Sequence, residues 1–182
     1  GISARYPAVE LLTGLLFAGA AYRFGASVEL VGALVLVCAL VVLAGTDLEH
    51  RLLPNKIVLP ALVVGLLVSA LGNPEKWWTY PLSALAVGGF LLALALLYPG
   101  GMGMGDVKMG AMLGAFLGGY AALAVFAGAL LGALTSGMLM LAGLAGRRAA
   151  LPFGTFMAMG GLAALFWAEN VWSGYLRLLG GG

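Results

Sequence analysis

Charge is what this chain has least of. Its 182 residues include 9 Lys or Arg, 7 Asp or Glu and a single His, so 9% are charged where a soluble domain carries about 25%. So few charges cannot clothe a water-facing surface, which excludes an ordinary soluble globule. The net charge of +2 and the lack of any basic run exclude nucleic acid as a partner. The one cysteine, Cys38, sits in an apolar run. It has no partner for an internal disulfide and no CxxC neighbour for zinc, so no metal is expected. No internal repeat or low-complexity linker breaks the chain. No cleavable signal peptide is apparent either, because Arg5 is followed by a stretch that reads on into further apolar runs.

What is abundant is apolar. Hydrophobic residues make up 63% of the chain and the mean hydropathy is +1.08, so lipid must provide the covering that polar side chains cannot. The 30 glycines would weaken soluble helices but suit membrane helices that pack backbone to backbone. The expected fold is all-α, a single domain over residues 1–182: a polytopic membrane protein with a bundle of about six or seven transmembrane helices, each needing about 20 apolar residues. Candidate spans cover about residues 9–22, 28–46, 56–71, 78–98, 120–146 and 153–172, with a shorter helix over about 107–117 after a glycine-rich break. With a cytoplasmic N-terminus, one side collects Arg5, Arg51, Lys56, Lys108, Arg147 and Arg148, and the other Arg23, Lys76 and Arg177. That imbalance favours this orientation, provided the short helix and the long span after it cross an even number of times together. Trp77, Trp78, Tyr98 and Tyr120 fall near span ends, as interfacial anchors do.

Two acidic clusters interrupt the oil. Residues 45–55 (GTDLEHRLLPN) close the second span, and residues 101–108 (GMGMGDVK) open the short helix. A carboxylate near bilayer depth costs several kcal/mol unless paired or hydrated, so it is a functional candidate by default. Two carboxylates brought about 3 Å apart cannot both ionise and share one proton. One can then draw a proton from water while its protonated partner hydrogen-bonds a scissile carbonyl. Gly101, Gly103 and Gly105 would let an extended peptide approach the backbone. Glu10 and Glu49 are candidates for attracting a basic segment, and Lys108 for holding a carboxylate or a phospholipid headgroup. Bland readings stand beside these. Thr46 and Glu49 have the spacing of a helix capping box, and Asp106 could simply cap the short helix.

The stretch 47–55 (DLEHRLLPN) resembles the first aspartate motif of the type IV prepilin peptidases. Residues 103–108 (GMGDVK) resemble their second motif, GxGD followed by an apolar residue and lysine. Residues 2–13 (ISARYPAVELLT) are similar to the segment entering the catalytic membrane domain, and residues 151–154 (LPFG) to a late-span motif, so the resemblance covers essentially the whole chain. It implies an aspartyl endopeptidase of the bacterial cytoplasmic (inner) membrane, with Asp47 and Asp106 as the catalytic dyad. Gly103, Gly105, Lys108, Glu49 and Glu10 would be substrate-binding or supporting residues, and proteolysis would need no cofactor. The implied substrates are type IV prepilins and type II secretion pseudopilins, cut after a glycine on the cytoplasmic side to release a basic leader. Many members also carry two CxxC pairs ahead of the ISxRYP stretch and N-methylate the new terminus with S-adenosylmethionine. These residues do not include that segment, and the abrupt start at Gly1 resembles a trimmed chain, so methyl transfer is not expected of them. Two rivals share the pattern. One is another GxGD peptidase, acting on archaeal preflagellins or on signal remnants within the membrane. The other is a small transporter with intramembrane carboxylates beside a broken helix.

Overall fold

In lipid a backbone N–H or C=O must find its partner within the protein, and an apolar run of about 20 residues does so by closing into a helix. The computed structural model describes residues 5–144 and 152–179 and shows this outcome at each run. Among the described residues seven α-helices follow one another: α1 (Arg5–Phe24), α2 (Val28–His50), α3 (Asn55–Gly72), α4 (Thr79–Leu97), α5 (Met104–Leu117), α6 (Ala121–Leu141) and α7 (Phe153–Leu179). Single 3-10 turns at Pro74–Lys76 and Gly118–Tyr120 join α3 to α4 and α5 to α6. No strand occurs among the described residues. Among the described residues four stretches are long and apolar enough to cross a membrane by length and composition: Val28–His50, Asn55–Gly72, Thr79–Leu97, and Met104–Leu141, which joins α5 and α6. The chain is an all-α, multi-pass membrane protein. Arg147, Arg148, Leu151 and the residues before Arg5 lie outside the described residues.

The direction of each helix follows from what it touches. Glycines on α5 pack against α4 in antiparallel order, Gly110 beside Leu91 and Val87 and Gly114 beside Ala84 and Ser83. On α6 and α7 the order is likewise reversed, Gly128 meeting Phe156 and Met157, and Gly160 meeting Ala124. α5, about 21 Å long at 1.5 Å per residue, therefore runs away from the end where it starts. α6 returns toward that end. Arg51, Lys56 and Lys108 lie at the end of the bundle where α2 finishes and α5 begins. Arg23 and Lys76 lie at the opposite end, where Arg23 pairs with Glu169 of α7 at 3.1 Å.

Helix ends are set by local chemistry. The Ser27 hydroxyl accepts the Leu30 N–H at 3.2 Å and starts α2. Arg51 ends it in the left-handed region (φ 53°), its N–H donating to the Asp47 carbonyl at 2.9 Å. Residues 51–54 are then the whole connection to α3. Between α4 and α5 the chain reverses through Gly100 at φ +85°, a conformation that glycine takes without steric cost. The second span thus runs four residues past its expected end at residue 46, and Asp47 lies in the last helical turn. Thr46 and Glu49 are inside α2, the Thr46 hydroxyl donating to the Leu43 carbonyl at 3.1 Å. The capping-box reading of that pair is therefore wrong: a box needs a helix start, and this is a helix end.

Lipid tails are as apolar as leucine, so membrane helices associate through close packing rather than through a hydrophobic drive. The buried core formed by Leu36, Leu40, Leu43, Met109, Met112, Leu113 and Met157 depends on glycines that let backbones touch. A Cβ at Gly114 would stand 2.5 Å from the Ala84 Cα and N atoms and 2.6 Å from the Ser83 carbonyl carbon. These are backbone atoms that no rotamer change can move. Gly114→Ala is expected to destabilise the purified protein in detergent by about 3 kcal/mol, an overpacking cost. Thermal unfolding checks this, with Gly89→Ala as control, because a Cβ at Gly89 meets nothing within 4 Å.

Candidate active site

Asp47 is among the most enclosed polar residues of the bundle, with 5% of its surface exposed although it lies in the last turn of α2. A carboxylate so placed needs hydrogen-bond donors, and α7 provides them. Its Oδ2 accepts the Thr155 N–H at 2.7 Å and lies 3.2 Å from the Thr155 hydroxyl. Thr155 is the third residue of α7, where backbone N–H groups have no acceptor within the helix. Asp47 thus supplies from α2 the acceptor that a capping side chain would supply locally, at the end of α7 whose dipole favours negative charge. Gly154 makes this approach possible, since a Cβ there would stand 2.9 Å from Asp47 Oδ2 and 3.0 Å from Leu53 Cδ1.

Asp106 is the third residue of α5 and is partly buried. Its Oδ2 accepts the Gly103 N–H at 3.1 Å, and its own N–H donates to the Gly103 carbonyl at 3.1 Å. The reciprocal pair closes the first turn and fixes the carboxylate's direction, so Asp106 does cap α5, which starts at Met104 rather than at Val107. Capping and chemistry are compatible, because Oδ1 remains outside the reciprocal pair.

Two links bring the acidic motifs together. A Cβ at Gly105 would meet the Leu53 Cβ at 2.9 Å, so Leu53 packs against the backbone beside Asp106 and also against Gly154 beside Asp47. The Lys108 ammonium donates to Asn55 Oδ1 at 2.9 Å, joining α5 to the start of α3. Asp47 and Asp106, residues from distant parts of the chain, therefore converge at the end of the bundle that carries Arg51, Lys56 and Lys108.

The other expected site residues divide. Gly103 and Gly105 lie beside Asp106, Gly103 holding it through its N–H and Gly105 admitting Leu53. Lys108 donates to Asn55 across the gap between α5 and α3. Glu49 is exposed and stands two residues past Asp47, about 200° around the helix. It faces away from the buried Asp47 side. Glu10 is exposed on α1, toward the same end of the bundle, and no described hydrogen bond joins it to either aspartate. Thr155 and Leu53 were not recognised in the sequence as site residues. The available signal for Thr155 was its hydroxyl directly after LPFG at the mouth of an apolar span. No group of three or more potential metal ligands occurs among the described residues. A cavity of about 450 Å³, lined in part by Arg23, Glu29, Lys76 and Glu169, lies at the opposite end, so the site is defined by its carboxylates and not by that space.

Fold and site together define a multi-pass helical membrane protein with an aspartate pair at one end of its bundle. The sequence pattern of the Type IV leader peptidase family matches residues 34–137, which includes both aspartates. The chain belongs to that family. It is 38% identical over 181 residues to the prepilin leader peptidase/N-methyltransferase of Bacillus subtilis (strain 168), covering 97% of this chain and 72% of that protein. The like-named protein of Xanthomonas campestris pv. campestris is 37% identical over 98% of this chain and 64% of its own length. That of Pseudomonas putida is 38% identical, again over 98% and 64%. The chain spans about two thirds of the length of these relatives. No solved structure matches it.

Proposed function

We propose that this chain is an aspartyl endopeptidase that removes the leader from type IV prepilins and type II secretion pseudopilins. The observation that carries this reading is the convergence of Asp47 and Asp106, each held through Oδ2 by the protein, inside the part of the chain that matches the Type IV leader peptidase family. The pair shares one proton. The ionised member takes a proton from water, and the protonated member hydrogen-bonds the scissile carbonyl as the tetrahedral carbon forms. No cofactor is needed for these steps. The membrane is the bacterial inner membrane, with the aspartates at its cytoplasmic face, a placement supported by the basic residues gathered at that end. A short basic leader ahead of an apolar segment suits this location, because the leader remains at the surface while the apolar part lies along the bundle.

The test is incubation of the purified chain in proteoliposomes with a prepilin, followed by mass spectrometry of both products. One cut at the junction of the basic leader and the apolar segment supports the reading. Fragments cut in mid-membrane would favour the broader GxGD alternative, and an intact substrate would remove the peptidase assignment.

A further inference from the structure

Asp47 has two carboxylate oxygens in unequal surroundings. Oδ2 faces the start of α7, where both donors of Thr155 reach it. Among the described residues no hydrogen-bond donor reaches Oδ1, so their hold on the carboxyl is through Oδ2 alone. The Thr155 hydroxyl has one proton and two acceptors in range, Asp47 Oδ2 at 3.2 Å and the Ala44 carbonyl at 3.3 Å. A charged acceptor makes a hydrogen bond roughly twice as strong as a neutral one, so the proton goes to the carboxylate. Thr155 itself is buried, with 9% of its surface exposed, and water does not readily replace it.

We infer that Thr155 is a positioning residue for Asp47, holding Oδ2 through its N–H and hydroxyl so that Oδ1 is the oxygen presented to water and to Asp106. This rests on the peptidase reading of the site and adds to it which atom acts. A free carboxyl at the end of a short side chain rotates about its Cβ–Cγ bond through a broad, roughly two-fold well. Two donors on one oxygen select a single orientation. Catalytic groups must stay within about 0.5 Å and 10–20° of their working geometry, and the Thr155 hydroxyl sits on a rigid helix able to enforce that limit.

The experiment compares wild type, Thr155→Val and Thr155→Ser in proteoliposomes. Valine keeps the shape and the backbone N–H but loses the hydroxyl, whereas serine keeps both donors. Thr155→Val is expected to lower kcat by about tenfold with KM within about twofold, the signature of an interaction that matters in the transition state and not in substrate binding. Thr155→Ser should remain within about threefold of wild type, as expected if the hydroxyl rather than the methyl matters. An unchanged kcat in the valine variant, or serine as impaired as valine, overturns the inference. A second readout does not need turnover: labelling by dicyclohexylcarbodiimide, located by peptide mass spectrometry. Asp47 should label at least about threefold faster in Thr155→Val, because a carboxyl that loses a donor is less shielded, and at the wild-type rate in Thr155→Ser. Equal labelling in all three proteins also overturns it. If the wild type cleaves no prepilin, the peptidase reading fails and the labelling still decides whether Thr155 holds Asp47.

Discussion

Asp47→Asn and Asp106→Asn should each lower leader cleavage by about a thousandfold or more, the scale seen when one member of a catalytic unit is removed, while the bundle remains assembled. Asparagine is the informative replacement because both aspartates also have structural duties. Asp47 Oδ2 satisfies the Thr155 N–H at the start of α7, and Asp106 Oδ2 satisfies the Gly103 N–H at the start of α5. The amide oxygen of asparagine can accept each of those bonds, so the helix starts survive and only the titrating proton is lost. Alanine at Asp47 would leave the buried Thr155 N–H unpaired at about 1–3 kcal/mol, and lost activity could then be blamed on lost structure. The double variant should be no worse than either single one, because two groups that share a proton act as a unit. The measurement is product formation over hours by mass spectrometry, with elution volume and thermal unfolding in detergent confirming the fold. Near-normal processing by either single variant would take the dyad out of the mechanism.

The sequence made most of this architecture legible because lipid leaves few options for a backbone. An apolar run of sufficient length must close into a helix, so the spans read near residues 28–46, 56–71 and 78–98 correspond to α2, α3 and α4 with ends moved by a few residues. The two aspartates were legible as candidates for the complementary reason, since an acid in such a chain has to be explained. What could not be read was orientation around and between helices. Glu49 looked like a companion of Asp47 in the linear sequence, yet helical geometry sends it to the other side. Lys108 meets Asn55 from 53 positions away. Thr155 is 108 positions from the aspartate it holds, and nothing local to Thr155 announces that contact. The glycine-rich break that suggested a transporter's broken helix is a turn between α4 and α5 at the end of the bundle. Gly103 and Gly105 gave a clear signal with an unclear cause, because a bare Cα serves a packed neighbour as well as a passing peptide.

Gly154 offers the most direct way to disturb the chemistry without touching an acid. Gly154→Ala adds one methyl group where the structure leaves no room for it, 2.9 Å from Asp47 Oδ2, 3.0 Å from Asp47 Cγ and 3.0 Å from Leu53 Cδ1. Leucine can turn its terminal methyl aside at small cost, whereas the aspartate is short, and Thr155 holds the same oxygen from the next position. The carboxylate must therefore yield, by several tenths of an ångström or by giving up a hydrogen bond. A misplacement approaching 1 Å costs about a hundredfold in rate, and a loss of that size in kcat is the expected result. Stability should change little, because Gly154 is the second residue of α7, where alanine's helix propensity, better than glycine's by about 1 kcal/mol, offsets the local crowding. The comparison with Gly114→Ala separates the two outcomes. That variant presses on backbone within the bundle and should lose stability, whereas Gly154→Ala presses on the Asp47 side chain and should lose turnover with its unfolding temperature nearly unchanged. If Gly154→Ala instead keeps wild-type kcat, Asp47 is not held as tightly as its contacts with α7 require, and the positioning attributed to Thr155 falls with it.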